Sequence, residues 1–373
     1  MSRASPIARV TEARIPDQPP PALSVGPAAW LRANLFSNWY NTGLTLVLVW
    51  LLVQIVPPLM DWLIFSAEYG QVASDACRGE GVGACYAFLH EKHRLILFGL
   101  YPYAEQWRPL LALMIGIALL AASCNRDYWK PWLGVAWLVG MVAMWVLMQG
   151  GVLGLEYVDN TKWGGLPLTL GLSVVGLVVA FPLGILLALG RRSQMPAIKT
   201  LCTVYIELIR GVPLITVLFM ASVLLPLFLP RDVTIDKLLR AQLGMIMFAA
   251  AYLAEVVRGG LQAIPKGQYE AADSLGLTYW QKTRLIVLPQ ALRVSIPPIV
   301  NTFIGFFKDT SLVVIIGLYD LLGAAKAALT DAAWRGFYKE AYLFIAIIYF
   351  IFCFSMSQYS QALERRLNVG HKR

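Results

Sequence analysis

The sequence predicts an all-α polytopic membrane protein with about eight transmembrane helices. Three observations carry that prediction. Of 373 residues, 58% are hydrophobic and 14% are charged, with a mean hydropathy of +0.62. That is more apolar surface than a water-soluble chain of this length needs, and it suits bilayer spans of about 20 residues. Apolar runs recur at about 43–65, 108–123, 132–154, 166–190, 212–229, 242–257, 296–322 and 341–361. With both termini placed in the cytoplasm, the inside segments hold 19 Lys and Arg against 7 Asp and Glu, and the outside segments 11 against 13. This is the asymmetry of the positive-inside rule. It accounts for the net charge of +9 through membrane lipid, without a nucleic-acid partner.

Residues 1–26 are Pro-rich and lack the apolar core of a signal peptide, so a disordered cytoplasmic tail is expected. Residues 27–42, with Trp30, Leu31, Trp39 and Tyr40 beside Arg32, read as an interfacial helix that completes the cytoplasmic segment 1–42. Residues 43–164 then hold three spans and a long outside loop, 66–107. Cys77 and Cys85 fall in that loop. They pair if the compartment is oxidising and stay as thiols if it is not. Cys124, Cys202 and Cys353 lie in or near spans and read as packing residues.

The second part, 165–363, holds five spans. In the first of them Gly176, Ala180, Gly184 and Ala188 share one helix face. Such a stripe suits packing inside the chain or contact with a second subunit. Pro182 is tolerated there where neighbours satisfy the freed carbonyl. A basic tail, 364–373, ends the chain on the inside.

The long inside loop, 258–295, is predicted to be structured. Pro265 and Gly267 precede a helical stretch at 268–275, and Gly276 is placed as its C′ residue. Thr278 and Gln281 fit a capping box that opens a second helix, 279–292. A helix of about eight residues is marginal in water, so packing must hold it. Tyr269, Ala272 and Leu275 recur at i, i+3 and i+6, and the Ala271-Ala272 pair leaves a smooth surface for a partner.

At these residues the chain resembles the membrane subunit of an ATP-binding-cassette importer. That family carries EAA, three residues, Gly, nine residues and Ile-x-Leu-Pro. Here Glu270-Ala271-Ala272, Gly276 and Ile286-Val287-Leu288-Pro289 supply each part without insertion. Leu168–Ser173, Tyr205–Leu214, Glu255 with Arg258-Gly259-Gly260, and Lys308–Leu312 narrow the resemblance to the polar amino-acid (histidine/glutamine-type) permeases over about 166–361. The first 165 residues, by their arrangement, resemble the M-type permease subunit of the general L-amino-acid uptake systems.

The resemblance implies a type I importer permease core in the C-terminal five spans and a bacterial inner-membrane location. It implies two copies of an ATPase subunit, a homologous sister permease forming a heterodimer, and a periplasmic amino-acid-binding protein. The stretch 268–275 becomes the coupling helix. Gly267, Tyr269, Glu270, Ala271, Ala272, Leu275 and Gly276 become the candidate ATPase-coupling residues.

The chain has no G-x-x-x-x-G-K-[ST] phosphate loop. ATP and Mg are therefore expected on the partner ATPase, with no cofactor bound by this chain. ATPase closure would move the coupling helix and rock the spans between inward- and outward-open states. Lys308 and Asp309 sit within the apolar run 296–322, followed by Thr310 and Ser311. Charges at that depth are expensive and face a cavity or a partner. The four residues are the candidate translocation pathway, with Lys308 attracting the substrate carboxylate. An ion pair within the protein and a position at the membrane surface are the competing readings. Sequence neighbours do not share a helix face, so the two need different partners or a local break, which Gly305 nearby would permit. Glu255 and Arg258 are expected to pair at i, i+3 near the inner surface.

No catalytic or metal-binding residue is expected. His90-Glu91-Lys92-His93 resembles a zinc motif, but Arg94 stands where H-E-x-x-H needs histidine. No span contains a histidine, which argues against a membrane protease. A scaffold that merely docks an ATPase would have no need of Lys308 and Asp309 in a span.

Overall fold

The computed structural model describes residues 26–230 and 234–368. The expected tail over 1–26 lies outside the described residues except for Gly26, as does the second half of the basic tail 364–373. The chain forms two compact units, and the first comprises residues up to 67 with residues 81–84. It opens with α1 (Pro27–Asn34), which has proline in its first turn, where a missing N–H costs nothing. The expected continuous helix over 27–42 is broken. Asn38 is extended and caps α2 (Trp39–Met60) by accepting from Asn41 N at 2.9 Å. Thr45 hydroxyl donates to Leu35 O at 2.9 Å and ties the two helices. Pro57 and Pro58 near the end of α2 remove two donors, and the helix widens into a π-turn, Asp61–Phe65.

The second unit comprises residues 68–80 and everything from Cys85 onward. Its helices are α3 (Tyr86–Phe98), α4 (Trp107–Cys124), α5 (Pro131–Gln149), α6 (Gly165–Arg191), α7 (Pro196–Arg210), α8 (Leu214–Phe219), α9 (Lys237–Gln262), α10 (Lys266–Ser274), α11 (Tyr279–Lys282), α12 (Leu288–Asp309), α13 (Leu321–Ala328) and α14 (Tyr338–Asn368). Across both units, seven described helices are long and apolar enough to cross a membrane. An eighth span exists if α7 and the Leu214–Phe228 segment, bent by 105° to each other, count as one.

Three expected boundaries move. The run 132–154 stops being helical at Gln149, because Gly150, Gly151, Leu153 and Gly154 take positive φ. The run 212–229 is a short α8 followed by a π-turn and a 3-10 turn. The run 296–322 is helical only to Ile316, where it ends a 38-residue helical span that begins earlier, at Tyr279. The predicted helix 279–292 merges into it through a π-turn at Thr283–Val287, just before Pro289.

The central pair is α6 with α9, and their buried faces join α8 and α12 in one apolar core. The small-residue stripe is spent inside the chain. A Cβ on Gly176 would meet the Phe306 ring at 2.7 Å, and one on Gly184 would meet Leu253 Cβ at 2.8 Å. Ala180 and Ala188 are fully buried. Small residues let these helices approach closely.

A second core joins α3, α13 and α14. Cys77 and Cys85 are disulfide-bonded at its edge. The guanidinium of Arg78 donates to Ala333 O and Arg335 O at 3.0 and 3.2 Å, and Lys92 Nζ lies 2.6 Å from Asp331 Oδ2. These contacts hold Arg78 and α3 to the loop between α13 and α14. Where α3 ends and α6 begins, three backbones cross. Gly165, at φ +63°, has Leu97 O at 2.1 Å from where a Cβ would stand, and Gly164 crowds both Gly99 and Tyr319 O. Asp320 then caps α13 by accepting from Gly323 N at 2.9 Å and Leu322 N at 3.2 Å.

Candidate coupling site and translocation segment

Helix α10 begins after Pro265, whose fixed φ of −57° sets the entry, and stops where Gly276 turns left-handed at φ +70°. Gly276 N donates to Asp273 O at 3.0 Å and Leu277 N to Ala272 O at 3.2 Å. The Thr278–Gln281 capping box is formed in both directions. Asp273 pairs with Lys282 at 2.5 Å, and Gln290 of α12 donates to Gln268 Oε1 at 3.0 Å. These bonds make α10, α11 and the start of α12 one braced loop.

The candidate residues divide between two faces. Ala272 is fully buried and Tyr269 packs on the core of Ala188, Ile206, Val257, Leu261 and Val287. Gly267, Glu270, Ala271 and Gly276 are exposed. The Ala271-Ala272 pair is therefore not one smooth surface, since only Ala271 faces outward. Leu275 also leaves the expected i, i+3, i+6 line. The helix has ended by then, and Leu275 is 75% exposed. Trp280 and Leu285 stand out at 67% and 65%. Sequence reasoning passed over both, although a tryptophan in a polar loop is a signal in itself.

Beside α10 lies a charge cluster. Glu255 of α9 is bidentate with Arg258, as the spacing predicts. Its Oε2 also lies 3.2 Å from Arg191 of α6 and 3.6 Å from Arg210 of α7, and Arg191 reaches Glu207 at 2.7 Å. Three helix ends thus meet on one carboxylate. Arg191 and Arg210 were not anticipated, because they are 64 and 45 residues away from Glu255 in sequence.

Lys308 and Asp309 close α12, where the helix tightens to 3-10 geometry over Thr310–Ile316. The break therefore comes at Thr310; Gly305 stays helical. Lys308 is exposed, Asp309 and Ser311 are half-buried, and Thr310 is buried, donating to Phe307 O at 2.7 Å. Lys308 sits near the C-terminal end of the helical stretch Tyr279–Ile316. The structure therefore places the coupling loop and Lys308–Ser311 at opposite ends of one helical rod.

The family model described as "Binding-protein-dependent transport system inner membrane component" matches residues 180–369. The chain belongs to this family. It is 51% identical to the inner membrane amino-acid ABC transporter permease protein YhdY of Escherichia coli, over 91% of this chain and 93% of that one. It is 40% identical to the glutamate/glutamine/aspartate/asparagine transport system permease protein BztC of Rhodobacter capsulatus, over 95% and 97%. The L-cystine transport system permease protein TcyB of Bacillus subtilis is 34% identical and is covered over 94% of its length by 60% of this chain. Among solved structures, an amino acid ABC transporter with histidines matches at 34% identity, covering 54% of this chain and 92% of that one, with a TM-score of 0.49. The protein is accordingly a multi-pass permease subunit of a bacterial inner-membrane ABC importer, not an enzyme. In such systems the ATPase is a separate subunit and a substrate-binding protein is a further partner.

Proposed function

We propose that this chain forms the translocation pathway of an ATP-driven L-amino-acid importer and couples it to the ATPase through α10. The observation that carries the reading is near-full-length similarity to YhdY, together with a complete EAA segment folded as a braced, exposed helix. In this reading Gly267, Glu270, Ala271, Leu275 and Gly276 meet the ATPase, while Tyr269 and Ala272 anchor the helix. Two ATPase copies carry ATP and Mg. A sister permease completes a heterodimer, and a periplasmic binding protein delivers the amino acid.

Both termini lie in the cytoplasm, as the charge asymmetry requires. Residues 165–363 are the ABC transmembrane domain, and 43–164 add three spans. TcyB, which is matched almost whole by 60% of this chain, supports that division. Lys308 attracts the substrate carboxylate, with Asp309, Thr310 and Ser311 beside it, because a charge in a span-length helix is retained for function. The test is mild-detergent purification from the native membrane. Co-purification of a Walker-type ATPase and a second EAA-bearing permease is expected. Recovery of this chain alone would contradict the reading.

A further inference from the structure

Helix α12 turns one face away from the rest of the chain. From Val294 to Lys308 its exposed residues are Val294, Pro298, Asn301 and Lys308. They recur at i, i+4, i+7 and i+14, so they form one stripe along the helix. Gly305 falls on the same stripe, and nothing outside its own helix backbone lies within 4 Å of where its Cβ would stand. The stripe runs for about 21 Å, most of the hydrocarbon depth of about 30 Å. The opposite face, with Ile299 and Phe306, is buried in the core with α6 and α9.

A stripe of a spanning helix that meets lipid is apolar, because lipid satisfies no polar group. This stripe is not apolar. The Asn301 amide and the Lys308 ammonium make no hydrogen bond among the described residues. Pro298 has no N–H to offer Val294 O, so a carbonyl on the same stripe loses its helical donor. Three polar groups thus stand along one uncovered line. Each is costly in hydrocarbon and is satisfied by water or a polar solute.

We infer that this stripe is a water-lined wall of the translocation pathway, and that Asn301 is a second contact for the transported amino acid. Lys308 meets the α-carboxylate. Asn301, about two turns nearer the coupling loop, meets a polar side chain. Its amide both donates and accepts, which suits a side chain ending in an amide or a carboxylate. Lys308 repels a side chain ending in a cation. The inference rests on the reading of Lys308 as a pathway residue and adds a substrate class to it.

The test uses the full transporter complex with its binding protein in proteoliposomes, with Cys124, Cys202 and Cys353 replaced by alanine. Asn301→Cys is expected to react with a charged, membrane-impermeant thiol reagent, and glutamine in transport should slow that reaction. Ile347→Cys, exposed on an apolar stretch of α14, is expected to stay unlabelled. Asn301→Leu should raise the half-saturating glutamine concentration about fivefold, the effect of one neutral hydrogen bond, and leave alanine uptake unchanged. An Asn301→Cys as unreactive as Ile347→Cys would mean that lipid or a second subunit covers the stripe, and would overturn the inference. Equal changes for glutamine and alanine in Asn301→Leu, or no glutamine uptake by the native complex, would overturn the substrate class. Lys308→Met separates this inference from the reading beneath it. Unchanged uptake of both amino acids in Lys308→Met, with Asn301→Cys still labelled and protected, would overturn the role of Lys308 and uphold that of Asn301.

Discussion

Arg192 donates to the hydroxyl of Tyr269 at 3.3 Å and lies 5.7 Å from the centre of its ring. The same hydroxyl donates to Leu261 O at 3.2 Å. One side chain on α10 is thus bonded to the ends of both α6 and α9, the central pair of the core. These bonds tie α10 directly to the helices of the core.

Tyr269→Ala should remove both the ring packing and the two bonds. Uptake is expected to fall at least tenfold while the ATPase still co-purifies, since Glu270 and Ala271 remain outside. Tyr269→Phe keeps the packing and should retain more than half of the uptake. Parallel uptake and pull-down measurements separate the two effects.

Glu255→Gln leaves Arg191, Arg210 and Arg258 facing one another without their shared carboxylate. The side chains are partly exposed, so the expected loss lies between that of a surface pair and a buried one, about 2 kcal/mol. Thermal unfolding in detergent should show a lower Tm. Removing Arg258 as well should cost less than the sum of the single changes, because the pair acts together.

Gly165→Ala is expected to abolish correct folding, since its φ is +63° and the new methyl would stand 2.1 Å from Leu97 O. Gly171→Ala is the control, with open space at the same test. Monodisperse yield from membranes should collapse for the first and hold for the second.

The Lys92–Asp331 pair sets a pH window for the packing of α3 on the loop between α13 and α14. The hydrogen bond from Lys92, then that from Ala333 N–H, holds the Asp331 carboxyl below its ordinary range. Its stabilisation is full above the unfolded carboxylate value, about 3.9, and is lost as pH falls through the lower folded value. Burial opposes the charge on Lys92, but its bonds to Asp331 and Glu91 prevail and raise its pKa. That contribution is full below the unfolded lysine value, about 10.4, and is lost as pH rises through the higher folded one. Hydrogen-exchange protection of α3 should weaken on the acid side in the native protein. In Asp331→Asn it should be lower at neutral pH and show less acid dependence.

Cutting the Cys77–Cys85 bond, eight residues apart, should cost about 2.5 kcal/mol on the loop-entropy account. Cys77→Ser is expected to loosen 68–85 toward proteolysis and to leave the α6–α9 core unchanged. Equal protease resistance with and without the bond would contradict this.

The sequence made legible whatever is written locally. The end of α10 at Gly276, the Thr278–Gln281 capping box and the Glu255–Arg258 pair depend on residues within a few positions, and each is present. What escaped depends on distance or on backbone compromise. The span Tyr279–Ile316 begins among Gln281, Lys282 and Arg284, which hide it from hydropathy, and a π-turn accommodates Pro289. The bend between α7 and α8 falls at Gly211-Val212-Pro213, inside an otherwise apolar run. The division of α10 into an anchored and an exposed face was hidden because Ala271 and Ala272 are chemically identical. Only the folded helix separates them, burying Ala272 and leaving Ala271 exposed.

The most direct test of the central claim is ATP-dependent uptake of labelled L-amino acids by the purified complex in proteoliposomes, comparing native protein with Glu270→Ala. The account predicts ATP-driven accumulation by the native complex, and loss of uptake in Glu270→Ala from a chain that still folds and inserts. Full uptake by Glu270→Ala, or ATP hydrolysis by the native complex with no amino acid moved, would contradict it.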